Sequence, residues 1–162
     1  MDSNTPRPTI VAYRPEYRES FMRLNLDWLE GNGLLEPIDL EYLRDPETHI
    51  LAGGGQVFVA LLADEVVGTS AAIRVSPTTF ELAKLAVRPS ARRLGLGRQL
   101  TKVVIDFARN AGATEVVLTS NSILAAAIRL YESLGFRHAP MPAGIRYVTA
   151  NVYMVLELTA RR

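Results

Sequence analysis

Apolar and polar positions along the chain change period several times, and each change marks an element. Residues 9–13, Thr9-Ile10-Val11-Ala12-Tyr13, predict a first strand. Arg14-Pro15-Glu16 ends it, because proline has no N–H to give to a ladder. Over residues 16–30, Phe21, Leu24 and Trp28 recur at helical spacing and predict a helix whose stripe, Trp28 included, faces the core rather than a substrate pocket. Gly31-Asn32-Gly33 stops that helix. A short second helix is expected over residues 39–44, capped by Asp39 and halted before Pro46. Gly53-Gly54-Gly55 reads as a hairpin turn, not a phosphate cradle, since no helix follows it.

Three strand-like runs come next with little between them: residues 57–62, 66–75 and 80–87. Asp64-Glu65 and Ser76-Pro77-Thr78 are their turns, so the pattern predicts an antiparallel meander. A helix is expected from near Gly95 to Asn110, burying Leu96, Leu100, Val103, Val104 and Phe107, and stopped by Ala111-Gly112-Ala113. Residues 115–119 carry the continuous apolar triplet Val116-Val117-Leu118, as in a strand buried on both faces. A helix over residues 123–134 should close on Gly135 as its C-terminal cap. A short strand begins at Phe136, and residues 147–158 partly alternate as the last strand. No internal repeat or low-complexity segment is present.

Bulk properties narrow the picture. The 162 residues suit one domain, 1–162, with a sizeable core. With 48% hydrophobic and 22% charged residues, the composition is that of a soluble globular protein. A net charge of +1 gives no reason to expect nucleic acid or an acidic membrane as partner. The absence of cysteine excludes disulfides, thiolate metal sites and a cysteine nucleophile. No apolar run approaches the ~18 residues of a membrane span, and the N-terminus has no apolar signal core. A cytoplasmic location is the default expectation. His49 and His138 lack metal-ligand spacing and read as loop histidines.

The candidate chemistry sits in residues 80–110. A strand feeds Arg88-Pro89-Ser90-Ala91-Arg92-Arg93-Leu94-Gly95-Leu96-Gly97 and then a helix. The first N–H groups of a helix have no intrahelical partner, and the aligned peptide dipoles place partial positive charge there. Glycine lets an anion approach the backbone closely. Arg92 and Arg93 add full charges. This is not a nucleoside triphosphate P-loop, since no Lys-Ser/Thr follows Gly97. Nor is it a dinucleotide fingerprint, since Leu100 stands at the third glycine position. Taken alone, so short a pattern is also compatible with a turn whose glycines only relieve strain. Glu81 within the strand is open to three readings, a base, a solvated strand carboxylate or a partner for Lys84. Tyr131 is open to two as well, an acid or a half-buried aromatic with its hydroxyl in water.

Arg92-x-x-Gly95-x-Gly97 resembles the acyl-CoA pyrophosphate loop of the GNAT superfamily of N-acetyltransferases, and Leu130-Tyr131-x-x-x-Gly135-Phe136 is similar to that family's Leu-Tyr-x-x-x-Gly-Phe helix end. The order of elements is similar too, over nearly the whole chain. The resemblance implies an α/β (α+β) fold with a mixed, mostly antiparallel central sheet and helices on both faces. It implies acetyl-CoA as co-substrate, no metal, a small-molecule or peptide amine as acceptor, and a homodimer. It places cofactor contacts at Arg92, Arg93, Leu94, Gly95, Leu96, Gly97 and Arg98, at the backbone of Leu85, Ala86 and Val87, and at Asn121 on the pantetheine arm. Asn121 is also a candidate helix cap.

The same resemblance makes Glu81 the general base and Tyr131 the general acid. An alkyl amine, with a pKa near ~10, arrives protonated and must lose a proton before it attacks, and the departing thiolate needs one. A reading of another class is a CoA-binding sensor or interaction module without catalysis. A third is a nucleotide-binding domain of another fold.

Overall fold

The three apolar runs after Gly55 fold as the expected meander in the computed structural model, which describes residues 5–159. They are β2 (Gln56–Leu62), β3 (Glu65–Ser76) and β4 (Thr79–Val87). With β1 (Thr9–Ala12), β5 (Glu115–Ser120), β6 (Arg137–His138) and β7 (Val152–Glu157) they form one sheet in the order β1-β2-β3-β4-β5-β7-β6. Every neighbouring pair is antiparallel except β4 with β5. The mixed, mostly antiparallel sheet is therefore as expected.

Alternation along the strands feeds two cores, one on each face. Helices α1 (Arg18–Gly31) and α2 (Pro37–Arg44) cover one face, where Phe21 and Leu43 pack with Val57, Ala71 and Ile73. Helices α3 (Leu96–Asn110) and α4 (Ala125–Ser133) cover the other, where Leu96, Leu100 and Val104 meet Phe58, Ala60, Phe80 and Val116. Two contacts seat α3 on β3. Ser70 Oγ donates to the Leu100 carbonyl at 3.0 Å, and a Cβ at Gly68 would come within 2.9 Å of Leu100. No described helix is long and apolar enough to cross a membrane.

Several boundaries differ from expectation, each for a physical reason. The second helix begins at Pro37, which suits a first helical position because its missing N–H would have no partner there. Asp39 is thus inside the first turn, where its Oδ2 accepts from the Glu36 N–H at 2.9 Å. The fourth helix starts at Ala125 rather than Ile123. Asn121 Oδ1 accepts from the Ile123 N–H, an Asx turn ahead of the helix rather than a cap on it. The last strand starts at Val152, not Tyr147, because the N–H groups of Val148 and Thr149 are taken by the Glu36 carboxylate at 2.7 and 3.1 Å.

Gly53-Gly54-Gly55 leaves a single π-helical turn, Glu47–Leu51, and is not a hairpin turn. His49 belongs to that helical turn and His138 to β6, so neither is a loop histidine. On α3, Val103 and Phe107 are only partly buried, whereas Thr101, Ile105 and Ala108 are buried. On α1, Phe21 is buried as expected, Asn25 joins it, and Trp28 lines a cavity instead of the core.

Candidate active site

The turn after β4 ends in a short 3-10 segment, Pro89–Ala91, and then winds through Arg93 at φ 75° and Gly95 at φ 73° into α3. Gly95 is the residue before the helix, and its left-handed backbone is one that glycine adopts without steric cost. The backbone N–H groups of residues 93–98 find no acceptor among the described residues. Six consecutive unpaired amides at a helix N-terminus form a strong anion receptor. Arg92, Arg93 and Leu94 are exposed around it, while Leu96 turns into the core. Gly97 faces α4, where a Cβ would touch Leu130 at 3.4 Å, and Thr101 Oγ1 donates back to the Gly97 carbonyl. The Arg98 guanidinium donates to Ser133 Oγ at 2.9 Å, tying α3 to α4.

Upstream of that turn, β4 and β5 part company. Their ladder covers only Thr79 to Glu81 against Glu115 to Val117, while β5 stays paired with β7 as far as Ser120. Leu82 to Leu85 and Leu118 to Asn121 therefore flank an opening, with a cavity of about 120 Å³ between them. On its other edge β4 is bulged. Between Ala83 and Ala86 it carries one more residue than β3 does, and Lys84 takes φ 52°. The Arg88 N–H bonds the Val67 carbonyl. By strand alternation the Ala86 N–H then faces β3, while those of Leu85 and Val87 face the opening. Ala86 is thus separated from its two neighbours as a source of amide donors.

A relay behind the bulge holds it. Thr69 Oγ1 donates to the Lys84 carbonyl at 2.8 Å and accepts from Asn25 Nδ2 at 2.9 Å. The same Asn25 amide donates to the Phe21 carbonyl within α1. Asn25 and Thr69 are fully buried, so their polar atoms would be costly without these bonds.

Glu81 and Tyr131 line the same cavity, Glu81 from β4 and Tyr131 from α4. The Glu81 carboxylate makes no hydrogen bond to a described residue. Burial raises its pKa, and the Lys84 charge opposes that. Tyr131 stands on the last turn of α4, where the Phe136 N–H bonds the Tyr131 carbonyl and the Gly135 N–H bonds that of Glu132. This is a Schellman stop, with Gly135 at φ 99° and Phe136 edge-on to the Tyr131 ring at 5.8 Å. The Tyr-x-x-x-Gly-Phe spacing is thus a helix-ending device that aims one phenol into the cavity. Burial raises the Tyr131 pKa well above that of a free phenol, so the hydroxyl keeps its proton at neutral pH. Asn121 also lines the cavity and spends its amide on the Thr149 carbonyl at 2.7 Å.

Residues 12–136 match the acetyltransferase (GNAT) family. The chain belongs to that family. The N-acetyltransferase YvbK of Bacillus subtilis is 30% identical over 105 residues, covering 63% of this chain and 68% of YvbK. N-acetylaspartate synthetase of Rattus norvegicus is 36% identical over 121 residues, covering 74% of this chain but only 39% of the rat protein. Among solved structures, the acetyltransferase yncA of Salmonella typhimurium with its cofactor acetyl-CoA superposes with a TM-score of 0.78. It is 23% identical and covers 95% of each chain, a likeness of fold.

As a GNAT acetyltransferase the chain has acetyl-CoA as its co-substrate, and the six unpaired amides and the parted strands fit such a molecule. Among the described residues no group of three or more His, Asp or Glu side chains is arranged to hold a metal ion.

Sequence reasoning missed the charged wall beside Glu81. Lys84, which one reading pairs with Glu81, pairs with Asp39 Oδ1 at 2.5 Å, both side chains almost fully buried. Its ammonium lies 5.5 Å from the Tyr42 ring centroid and 5.6 Å from that of Tyr147. Glu36 adjoins this pair. Burial works to raise its pKa, but bonds from the Thr149 hydroxyl, Val148 N–H and Thr149 N–H, with the Lys84 charge, bring it below the ordinary value. Burial, then Glu81 and Asp39, raise the Tyr147 phenol strongly. The signal in the sequence was a lysine inside an otherwise apolar run, Leu82-Ala83-Lys84-Leu85-Ala86, and an asparagine one turn after Phe21 on an apolar helix face.

Proposed function

We propose that this acetyltransferase moves the acetyl group of acetyl-CoA directly to a primary amine within a ternary complex. The observation that carries the reading is the shared cavity: a raised carboxyl, Glu81, and a protonated phenol, Tyr131, line the opening between β4 and β5, and β4 itself runs on into the turn that carries the unpaired amides of residues 93–98. Acetyl-CoA supplies the acetyl group as a thioester. The amides of 93–98, helped by Arg92 and Arg93, hold the diphosphate. Leu85 and Val87 offer N–H groups to the thioester carbonyl, an oxyanion-type role. Glu81 takes the proton from the incoming ammonium, directly or through water, and Tyr131 gives its proton to the departing sulfur. With no cysteine in the chain, a cysteinyl acyl-enzyme has no residue to form on. The acceptor is a small-molecule or peptide amine.

A cytoplasmic setting accords with a chain that has no cysteine for the disulfides of small secreted domains. A homodimer is the assembly the family resemblance implies.

Tyr131→Phe tests the acid. It keeps the ring against Phe136 and removes only the proton donor. Steady-state kinetics should show kcat down by about 10- to 100-fold with KM for acetyl-CoA little changed. A variant with unaltered kcat and pH profile would remove Tyr131 from the mechanism.

A further inference from the structure

The cavity lined by Glu81 is also walled by residues from outside β4 and β5, which form a compartment of their own character. Its walls include Trp28 and Leu29 of α1, Leu34 after it, and Tyr147, and the lining also holds Asp39 and Lys84. The walls are apolar and aromatic, and the charges are strongly one-sided. Lys84 is the one cation among the described residues lining the cavity, and its ammonium is already held by Asp39 and lies against two tyrosine rings. Glu36 lies behind the pair with its oxygens filled by Val148 and Thr149. Glu81 faces the space without a partner. Three carboxylates thus surround one ammonium. The guanidinium closest in sequence to this wall, Arg146, pairs with Glu41 at 3.5 Å, and both side chains are exposed.

We propose that the acceptor is a cationic primary amine with an apolar or aromatic body and no carboxylate on the carbon that bears the nitrogen. The inference rests on the transferase reading of this site and names its substrate class. An ammonium entering the compartment meets net negative charge and aromatic faces, both of which favour it. An α-amino acid brings its own carboxylate to within a few ångströms of Glu81 and Asp39, and no unspent cation on the lining receives it. A buried carboxylate without a partner is strongly disfavoured. The chain therefore differs in acceptor from what the name of its rat relative indicates.

The test compares 2-phenylethylamine with L-phenylalanine, which share a skeleton and differ by the carboxylate, and adds L-aspartate. Release of the CoA thiol reports turnover with saturating acetyl-CoA. The expected result is a kcat/KM at least about 100-fold higher for 2-phenylethylamine than for either amino acid. Leu34→Arg places a guanidinium on the compartment wall and should narrow that ratio by about tenfold. Equal or better use of phenylalanine or aspartate overturns the inference. So does a failure of the CoA-loaded enzyme to bind 2-phenylethylamine by calorimetry. Acetyl-CoA is titrated alone first: failure there removes the transferase reading, whereas success there with amino-acid preference removes only the acceptor class.

Discussion

Glu81→Gln is expected to lower kcat/KM by about 10²- to 10³-fold at neutral pH, the usual worth of a positioned general base. The substitution keeps size and polarity and removes the ability to take a proton. The pH profile carries the sharper signature. Burial raises the Glu81 carboxyl above its ordinary value, against the pull of Lys84. A base works only when deprotonated. Wild-type kcat/KM should therefore fall as pH drops through that raised value, above the ~4.3 of an exposed glutamate. In Glu81→Gln this acidic limb should vanish and leave a low, flat rate. A variant whose profile runs parallel to wild type would show that another group, or bulk water, accepts the proton.

Gly97→Glu should weaken acetyl-CoA binding by at least about 100-fold, since it sets a like charge against the diphosphate in the first turn of α3. The first added atom meets Leu130 at 3.4 Å, an ordinary contact, so the substitution is accommodated, and from the first turn its carboxylate can reach the unpaired amides. There its carboxylate would occupy the donors itself. A glutamate near a helix N-terminus stabilises the helix, so lost affinity should come with an intact circular dichroism spectrum and melting temperature. Calorimetry with acetyl-CoA reads the effect. Undiminished affinity would place the diphosphate elsewhere.

Much of the architecture is readable in local pattern. The meander follows from three apolar runs separated by two- and three-residue turns, and the buried β5 follows from Val116-Val117-Leu118. The anion receptor is legible because it is built from consecutive residues at one strand-to-helix turn. The Tyr131 position is legible for the same reason, as a helix stop written in five residues, Glu132 to Phe136. What local pattern does not contain is contact at long range. Glu36 reads as an ordinary residue before a helix until the fold brings Val148 and Thr149 to it, across more than a hundred residues. That one contact starts the last strand late, orders the cavity wall and leaves Tyr147 facing Lys84. Lys84 likewise has one carboxylate three residues away in sequence and pairs with another forty-five away. The bulge at Lys84 depends on Asn25 and Thr69, from two other elements. The spacing of Trp28 predicts core, but the opening between β4 and β5 leaves it a cavity to line.

The most direct measurement is a titration of ¹⁵N-labelled protein with coenzyme A, followed through the backbone amide resonances. The account predicts that residues 93–98 shift first and furthest, with Leu85 and Val87 following when acetyl-CoA replaces CoA. Saturable binding that leaves the 93–98 amides unmoved would contradict it.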